Sequence, residues 1–167
     1  MESTAADRYK EIMIELGHKH VAVNECGLFI LDTVPFIGAS PDRIVSCSCC
    51  GKHVLEIKCP LKLAHICPSE ETVECLKSVG GITKLKRNHS YFTQIQGQMA
   101  MTNIHKGHFF VFSMHGHHLE EVVFDGGLWQ QVSQNLSSFF HNFLAEELIH
   151  KRYQKESFSE ITAKDMD

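Results

Sequence analysis

The 167-residue sequence lacks several features that would define a protein class at once. It has no apolar run near the roughly 18 residues of a membrane span, and its start, MESTAADRYK, has no apolar signal-peptide stretch. It has no internal repeat and, with only 4 prolines and 11 glycines, no long linker. These absences favour one folded domain, which we place at residues 1–152, followed by a flexible tail over 153–167.

The sequence also lacks an excess of positively charged residues. The chain has 16 Lys and Arg against 20 Asp and Glu, a formal net charge of −4, which argues against a protein that coats nucleic acid by overall charge. Any phosphate-bearing partner must be held by a local group of residues. The cysteines number 7, an odd count, and with no secretory signal they indicate a reduced, intracellular protein, with nucleus or cytoplasm left open.

Hydrophobic spacing predicts an α/β fold. Apolar residues recur at helical spacing over 4–16, 90–102 and 128–148, and the last of these helices has a wide apolar face that we expect in the core. Segments with strand character lie at 20–24, 28–31, 42–47, 53–58, 108–114 and 119–124. Residues 60–89 are expected to be mostly loop, with one short helix near 69–78. This order predicts a mixed central β-sheet flanked by helices.

The segment GASPDRIVSCSCCGKHVLEIKCP, residues 38–60, carries the candidate chemistry. Because side chains alternate along a strand, Glu56 and Lys58 share one face and lie roughly 7 Å apart. If residues 48–51 form a hairpin turn, Asp42 lies opposite Glu56 to within one residue. Two carboxylates and one ammonium group are then expected to converge.

Such a group suits metal-assisted phosphodiester hydrolysis. Paired carboxylates hold Mg²⁺, for which Mn²⁺ can substitute, and Mg²⁺ keeps waters and can bind a phosphate oxygen. The backbone carbonyl of Ile57 is a further candidate ligand, and Lys58 can orient the attacking water and offset charge on the phosphate. The alternative is a surface strand whose charges face water, with Glu56 and Lys58 as a weak exposed pair.

Three motifs taken together carry a family resemblance: SPD at 40–42, LEIKCP at 55–60 and YFTQIQGQM at 91–99. They resemble the lambda exonuclease, or YqaJ-type viral recombinase, branch of the PD-(D/E)XK nuclease superfamily. The resemblance implies a restriction-endonuclease-like core, Mg²⁺ dependence and 5′-to-3′ digestion of double-stranded DNA ends in recombination or repair. By the same resemblance Asp42 and Glu56 are metal ligands, Lys58 is the catalytic lysine and Gln94 is an active-site glutamine. A ring-shaped homotrimer is the family's assembly.

The resemblance also implies a glutamate on the first helix that reaches the metal. Glu2 fits this position by its spacing to Ala5 and Tyr9. Family members carry a further N-terminal helical region that helps to grip the DNA end, and the sequence has no counterpart of it. We therefore expect either a piece of a longer protein or a chain that has lost part of its DNA-binding apparatus.

A locally basic segment, KLKRNH, precedes the helix predicted at 90–102. Lys84, Lys86 and Arg87 in it are expected to face DNA phosphates, although an ordinary solvated loop would have the same composition. Through the family motif, Tyr91 and Gln96 are expected to contact DNA as well. Gln94 and Gln98 share a helix face by their i,i+4 spacing.

The cysteines raise a second metal hypothesis. Cys47 and Cys50 have the spacing of one ligand pair of a structural zinc site, yet no second pair follows at the usual distance. Reduced, buried cysteines in a cysteine-rich turn are therefore the preferred interpretation. Beside the exonuclease, two functions stay open: a catalytically inactive nuclease fold that binds DNA or serves assembly, and a zinc-stabilised interaction domain.

Overall fold

The structure is a computed structural model that describes residues 1–150, so the tail expected over 153–167 lies outside the described residues. It divides into two compact units, Met1–Trp129 and a second unit that begins at Gln130. The boundary between the units falls inside the region for which the sequence predicts one domain. All candidate site residues belong to the first unit.

The first unit combines one large sheet with two small ones. Its elements in chain order are α1 (Glu2–Glu15), β1 (Ala22–Asn24), β2 (Phe29–Ile30), β3 (Gly38–Ala39), β4 (Arg43–Cys47), β5 (Gly51–Lys58), a 3₁₀ turn (Leu61–Leu63), β6 (Leu76–Val79), β7 (Ile82–Leu85), α2 (Ser90–Thr102), β8 (Lys106–Ser113) and β9 (Gly116–Val123). The short helix predicted near 69–78 is wrong, because residues 69–75 form turns and strand β6 begins at Leu76.

The five-stranded sheet has the order β1-β4-β5-β8-β9. The pair β5–β8 is parallel and the other pairs are antiparallel, which confirms the predicted mixed sheet. Strand β5 therefore lies in the middle, hydrogen-bonded on both sides. The candidate residues Glu56 and Lys58 are carried by this central strand.

Each face of the sheet is covered by one helix. Leu55 and Ile57 of β5 belong to the apolar cluster that contains Tyr9 and Met13 of α1. Val54, on the opposite face, belongs to the cluster that contains residues of α2. Because side chains alternate along the strand, the side of the sheet that α2 covers is also the side of Glu56.

Helix α2 forms where the sequence predicts it. The ring nitrogen Nδ1 of His89, at its N-cap, accepts a hydrogen bond of 3.1 Å from the backbone N–H of Tyr91. The helix ends at Asn103, whose φ of 53° lies in the left-handed region that Asn tolerates better than most residues. Its bounds, Ser90–Thr102, fix which side chains can reach β5.

The closing helix forms, but its expected burial is wrong. It consists of α3 (Gly126–Phe139), a π-helical turn (Phe140–Leu144) and α4 (Ala145–His150). No residue of α3 is fully buried, and Phe139 and Phe143 are 52% and 64% exposed. Periodicity shows that a helix has an apolar face and does not show what covers that face. No helix within residues 1–150 has the length and hydropathy needed to cross a membrane.

Candidate active site

The β4–β5 hairpin brings the first carboxylate to the central strand. Arg43 pairs with Leu55 in an antiparallel register, so Asp42, one residue earlier, lies opposite Glu56. The Oδ2 atom of Asp42 accepts a hydrogen bond of 2.6 Å from the backbone N–H of Ile57. The aspartate is thus held by the backbone N–H of the residue between Glu56 and Lys58.

The second carboxylate is enclosed between β5 and α2. Glu56 is 0% exposed; its Oε1 is ion-paired with the Nζ of Lys58, and its Oε2 accepts a 2.6 Å hydrogen bond from the Nε2 of Gln98. Lys58 Nζ also donates to Oε1 of Gln94 at 3.4 Å and lies 4.4 Å from the centroid of the Tyr91 ring. Helix α2 therefore supplies three side chains to the β5 carboxylate and ammonium.

The electrostatics of the two acids fit a bound cation. Burial raises the pKa of Asp42, and the hydrogen bond from Ile57 opposes this shift. Burial also raises the pKa of Glu56; Gln98 and Lys58 lower it, and the Asp42 carboxylate raises it further. A divalent ion offsets the cost of partly desolvated acids such as these, one of which raises the pKa of the other, and hard carboxylate oxygens are the donors that Mg²⁺ prefers.

Gln98 is the residue that sequence reasoning ranked too low. It is 1% exposed, and besides Glu56 its Nε2 reaches the carbonyl oxygen of Ser40 at 3.4 Å. Its Oε1 is buried without a hydrogen-bond partner among the described residues. The i,i+4 spacing to Gln94 was the available signal. Burial could not be inferred from it, because the spacing does not show which helix face meets β5.

Gln96, in contrast, is less available for binding than the sequence analysis expected. It is 0% exposed; its Nε2 donates to the carbonyl of Val123 at 3.1 Å, and its Oε1 accepts from the N–H of Asp125 at 2.7 Å. Both ends of the amide join α2 to the segment after β9. The expectation that Gln96 contacts DNA is therefore wrong.

Glu2 lies near the site and is ion-paired with Arg43. Arg43 Nη1 donates to Glu2 Oε1 at 2.9 Å, and Arg43 also donates to the carbonyl oxygen of Asp42. The Glu2 carboxylate contributes to raising the pKa of Asp42, which places the two acids within electrostatic range. Its role as a metal ligand stays a prediction, as does that of the Ile57 carbonyl. Arg43 is a site residue that the sequence analysis did not single out.

The basic residues predicted to face DNA differ in their surroundings. Lys84 is exposed on β7. Lys86 Nζ donates to the carbonyl of Glu74, and Arg87 is ion-paired with Asp125 and lies 4.9 Å above the Phe92 ring. Lys86 and Arg87 thus have partners within the protein, and contact with DNA stays a prediction for all three residues.

A buried polar group lies on the α1 side of β5. The Tyr9 hydroxyl forms hydrogen bonds of 2.7 Å with His53 Nε2 and 2.6 Å with His108 Nδ1. Burial lowers the pKa of His53 to about 3 and that of His108 to about 4, while nearby Glu121 partly opposes the latter shift. Both imidazoles are therefore neutral in the folded protein at physiological pH. The one Tyr9 hydroxyl can then donate a hydrogen bond to one neutral ring and accept one from the other.

These two histidines predict acid sensitivity. In the unfolded chain both protonate near pH 6.5, whereas in the folded chain they stay neutral to about pH 4, so the unfolded state binds more protons as pH falls. The free energy of unfolding should fall by up to about 2.7 kcal/mol per pH unit in that window. Denaturant unfolding from pH 7.5 to 4.5 measures the slope. His53→Gln should reduce this slope, and the control His105→Gln, at an exposed position, should not. Equal slopes in the wild type and both variants would contradict the assignment.

The fold and the site together define an α/β nuclease core: a hairpin carries Asp42, Glu56 and Lys58 at the middle of a mixed sheet. A family model described as "YqaJ-like viral recombinase domain" matches residues 1–105, and the chain belongs to that family. No curated protein matches the sequence.

Two solved structures similar to the chain are those of an alkaline exonuclease, LHK-Exo, from Laribacter hongkongensis. The first is 28% identical in sequence, with a TM-score of 0.65, and the match covers 92% of this chain and 70% of that one. The second, LHK-Exo in complex with dAMP, has the same identity and TM-score and covers 92% and 69%. The nuclease fold expected from the sequence is confirmed.

Proposed function

We propose that this chain is a Mg²⁺-dependent DNA exonuclease that hydrolyses phosphodiester bonds at double-stranded ends in the 5′-to-3′ direction. The observation that carries the proposal is the cluster of Asp42, Glu56 and Lys58, held by bonds from Ile57 and Gln98. Family membership and the similarity to an alkaline exonuclease support a DNA nuclease. The dAMP in the second structure belongs to the class of product that an exonuclease releases from DNA.

Each residue has a role that its position supports. Asp42 and Glu56 would hold the metal, with the Ile57 carbonyl and Glu2 as further ligands. When bound, Mg²⁺ supplies Lewis-acid stabilisation of the phosphoryl group. The Lys58 ammonium offsets negative charge that develops on the phosphate and orients the attacking water. Gln94, exposed next to Lys58, positions the substrate.

Contacts to the DNA backbone are assigned to the surface around this cluster. Tyr91 packs against the Lys58 ammonium, and Lys84, Lys86 and Arg87 precede α2. Phosphate contacts by Lys and Arg make affinity dependent on salt. Binding of linear duplex that weakens as NaCl is raised would support this part of the proposal.

The replacement Asp42→Asn tests the proposal directly. It removes one metal-binding charge at nearly constant volume, so Mg²⁺-dependent release of nucleotides from linear duplex DNA should fall at least about 100-fold. The rate is measured with end-labelled DNA of either polarity, with and without Mg²⁺. The matched control Glu71→Gln removes an exposed carboxylate outside the cluster and should keep the wild-type rate.

Two outcomes would overturn the exonuclease. Full activity in purified Asp42→Asn would remove the aspartate from the chemistry. Wild-type protein that shifts duplex DNA in a gel, yet cleaves none with Mg²⁺ or Mn²⁺, would favour the alternative of an inactive nuclease fold that binds DNA.

A further inference from the structure

A second group of ligand atoms lies at the tip of the β4–β5 hairpin. His18, Cys47, Cys49 and Cys50 place one ligand atom each within 4.8 Å of one another. The sequence supplies only one cysteine pair with zinc spacing. In the structure a further ligand, His18, comes from 29 positions before Cys47. The nuclease chemistry proposed above uses none of these four residues.

Four of the six distances between these atoms are close to the edges of a tetrahedron around zinc. His18 Nδ1 lies 3.2, 3.8 and 3.6 Å from the sulfurs of Cys49, Cys47 and Cys50. A tetrahedral zinc ion with Zn–N and Zn–S bonds of about 2.0 and 2.3 Å places nitrogen and sulfur about 3.5 Å apart. The Cys47–Cys49 sulfur separation of 3.3 Å is far longer than a disulfide bond.

The backbone at the end of α1 fixes the position from which His18 extends. Helix α1 ends at Glu15; Gly17, two residues later, has a φ of 89°, and the N–H groups of Gly17 and His18 donate to the carbonyls of Ile14 and Met13. This paired cap fixes the direction in which the chain leaves the helix. His18 is therefore presented from a defined turn rather than from a free loop.

The hairpin tip is tied to that turn independently of the cysteines. The N–H of Ser48 donates to the carbonyl of Lys19 at 3.0 Å, and the Ser48 hydroxyl donates to the same oxygen at 3.1 Å. Within the tip, the N–H of Cys50 donates to the Cys47 sulfur at 3.2 Å. A donor to sulfur stabilises thiolate, the form that binds metal.

We propose that His18, Cys47, Cys49 and Cys50 form a structural zinc site that fastens the end of α1 to the β4–β5 hairpin. Three thiolates and one imidazole are soft and borderline donors that suit zinc, and four protein ligands leave no open position for catalysis. The site lies about 20 Å along β5 from Glu56, at 3.3 Å per residue. It joins the two elements that carry Glu2 and the Asp42–Glu56 pair.

Metal analysis of the purified full chain tests the site. Protein prepared under reducing conditions with zinc and then desalted should retain one Zn²⁺ per chain. Cys49→Ser should bind Zn²⁺ at least about 100-fold more weakly, because even outer-shell partners contribute about 10- to 100-fold. Cys49 is exposed, so this change removes little packing, and Cys67→Ser, at another exposed cysteine, is the matched control with unchanged zinc content.

Two further measurements separate this site from the nuclease site. Asp42→Asn should keep its zinc, whereas binding at the carboxylates would lose it. Substitution by Co²⁺ should give thiolate-to-cobalt charge-transfer absorption in the wild type and in Asp42→Asn, with loss of intensity in Cys49→Ser. The proposal is overturned if wild-type protein retains no zinc, if Cys49→Ser retains as much as Cys67→Ser, or if mass spectrometry shows a disulfide among the three cysteines.

Discussion

Replacement of Lys58 by methionine is expected to reduce the rate of DNA hydrolysis by about 10²- to 10³-fold, the usual cost of removing one group that stabilises transition-state charge. The methionine keeps most of the apolar length of the side chain, so the change removes the ammonium together with its contact to Tyr91 and its ion pair with Glu56. The effect should appear in the rate at saturating DNA, since Lys58 acts on charge that develops during the reaction. Single-turnover cleavage of linear duplex measures it.

Lys52→Met is the matched control for this change. Lys52 is exposed on the same strand, and because the two positions differ by an even number of residues both side chains project to the same face. It lies about 20 Å from Lys58 along β5. A comparable loss in both variants would indicate that general positive charge, rather than the ammonium beside Glu56, supports the reaction.

Replacement of Gln98 by leucine is expected to lower activity by about 10- to 100-fold, although we assign this residue no contact with DNA. The change removes the 2.6 Å hydrogen bond to Glu56 and leaves that carboxylate oxygen buried without this donor. Because the Gln98 hydrogen bond lowers the pKa of Glu56, its loss favours the protonated acid. More Mg²⁺ and a higher pH should be required for half-maximal rate, which a merely structural role would not produce.

A double-mutant cycle shows whether Gln98 acts through Glu56. If it does, Glu56→Gln alone and Glu56→Gln with Gln98→Leu should have equal residual activity. Without the Glu56 carboxylate, Gln98 no longer has a metal ligand to orient. Losses that multiply would assign Gln98 a separate function. Thermal unfolding of each variant controls for damage to the fold.

The sequence by itself determined much of the nuclease. Strand alternation placed Glu56 and Lys58 on one face, and the hairpin turn brought Asp42 opposite Glu56, because register in a short hairpin is a local property. The bounds of α2 followed from helical spacing over 90–102. The motifs SPD, LEIKCP and YFTQIQGQM were enough to indicate the family that the comparison confirms.

Only the tertiary structure decided which side chains face one another across elements. It turned Gln98 toward Glu56 and Gln96 toward the carbonyl of Val123, since the rotation of α2 against β5 depends on packing over the whole sheet. It also brought His18 to a cysteine turn 29 residues away from it and left the apolar side chains of α3 without full burial. Local periodicity encodes the faces of an element, whereas the partner of each face is chosen by long-range packing that no short stretch of sequence contains.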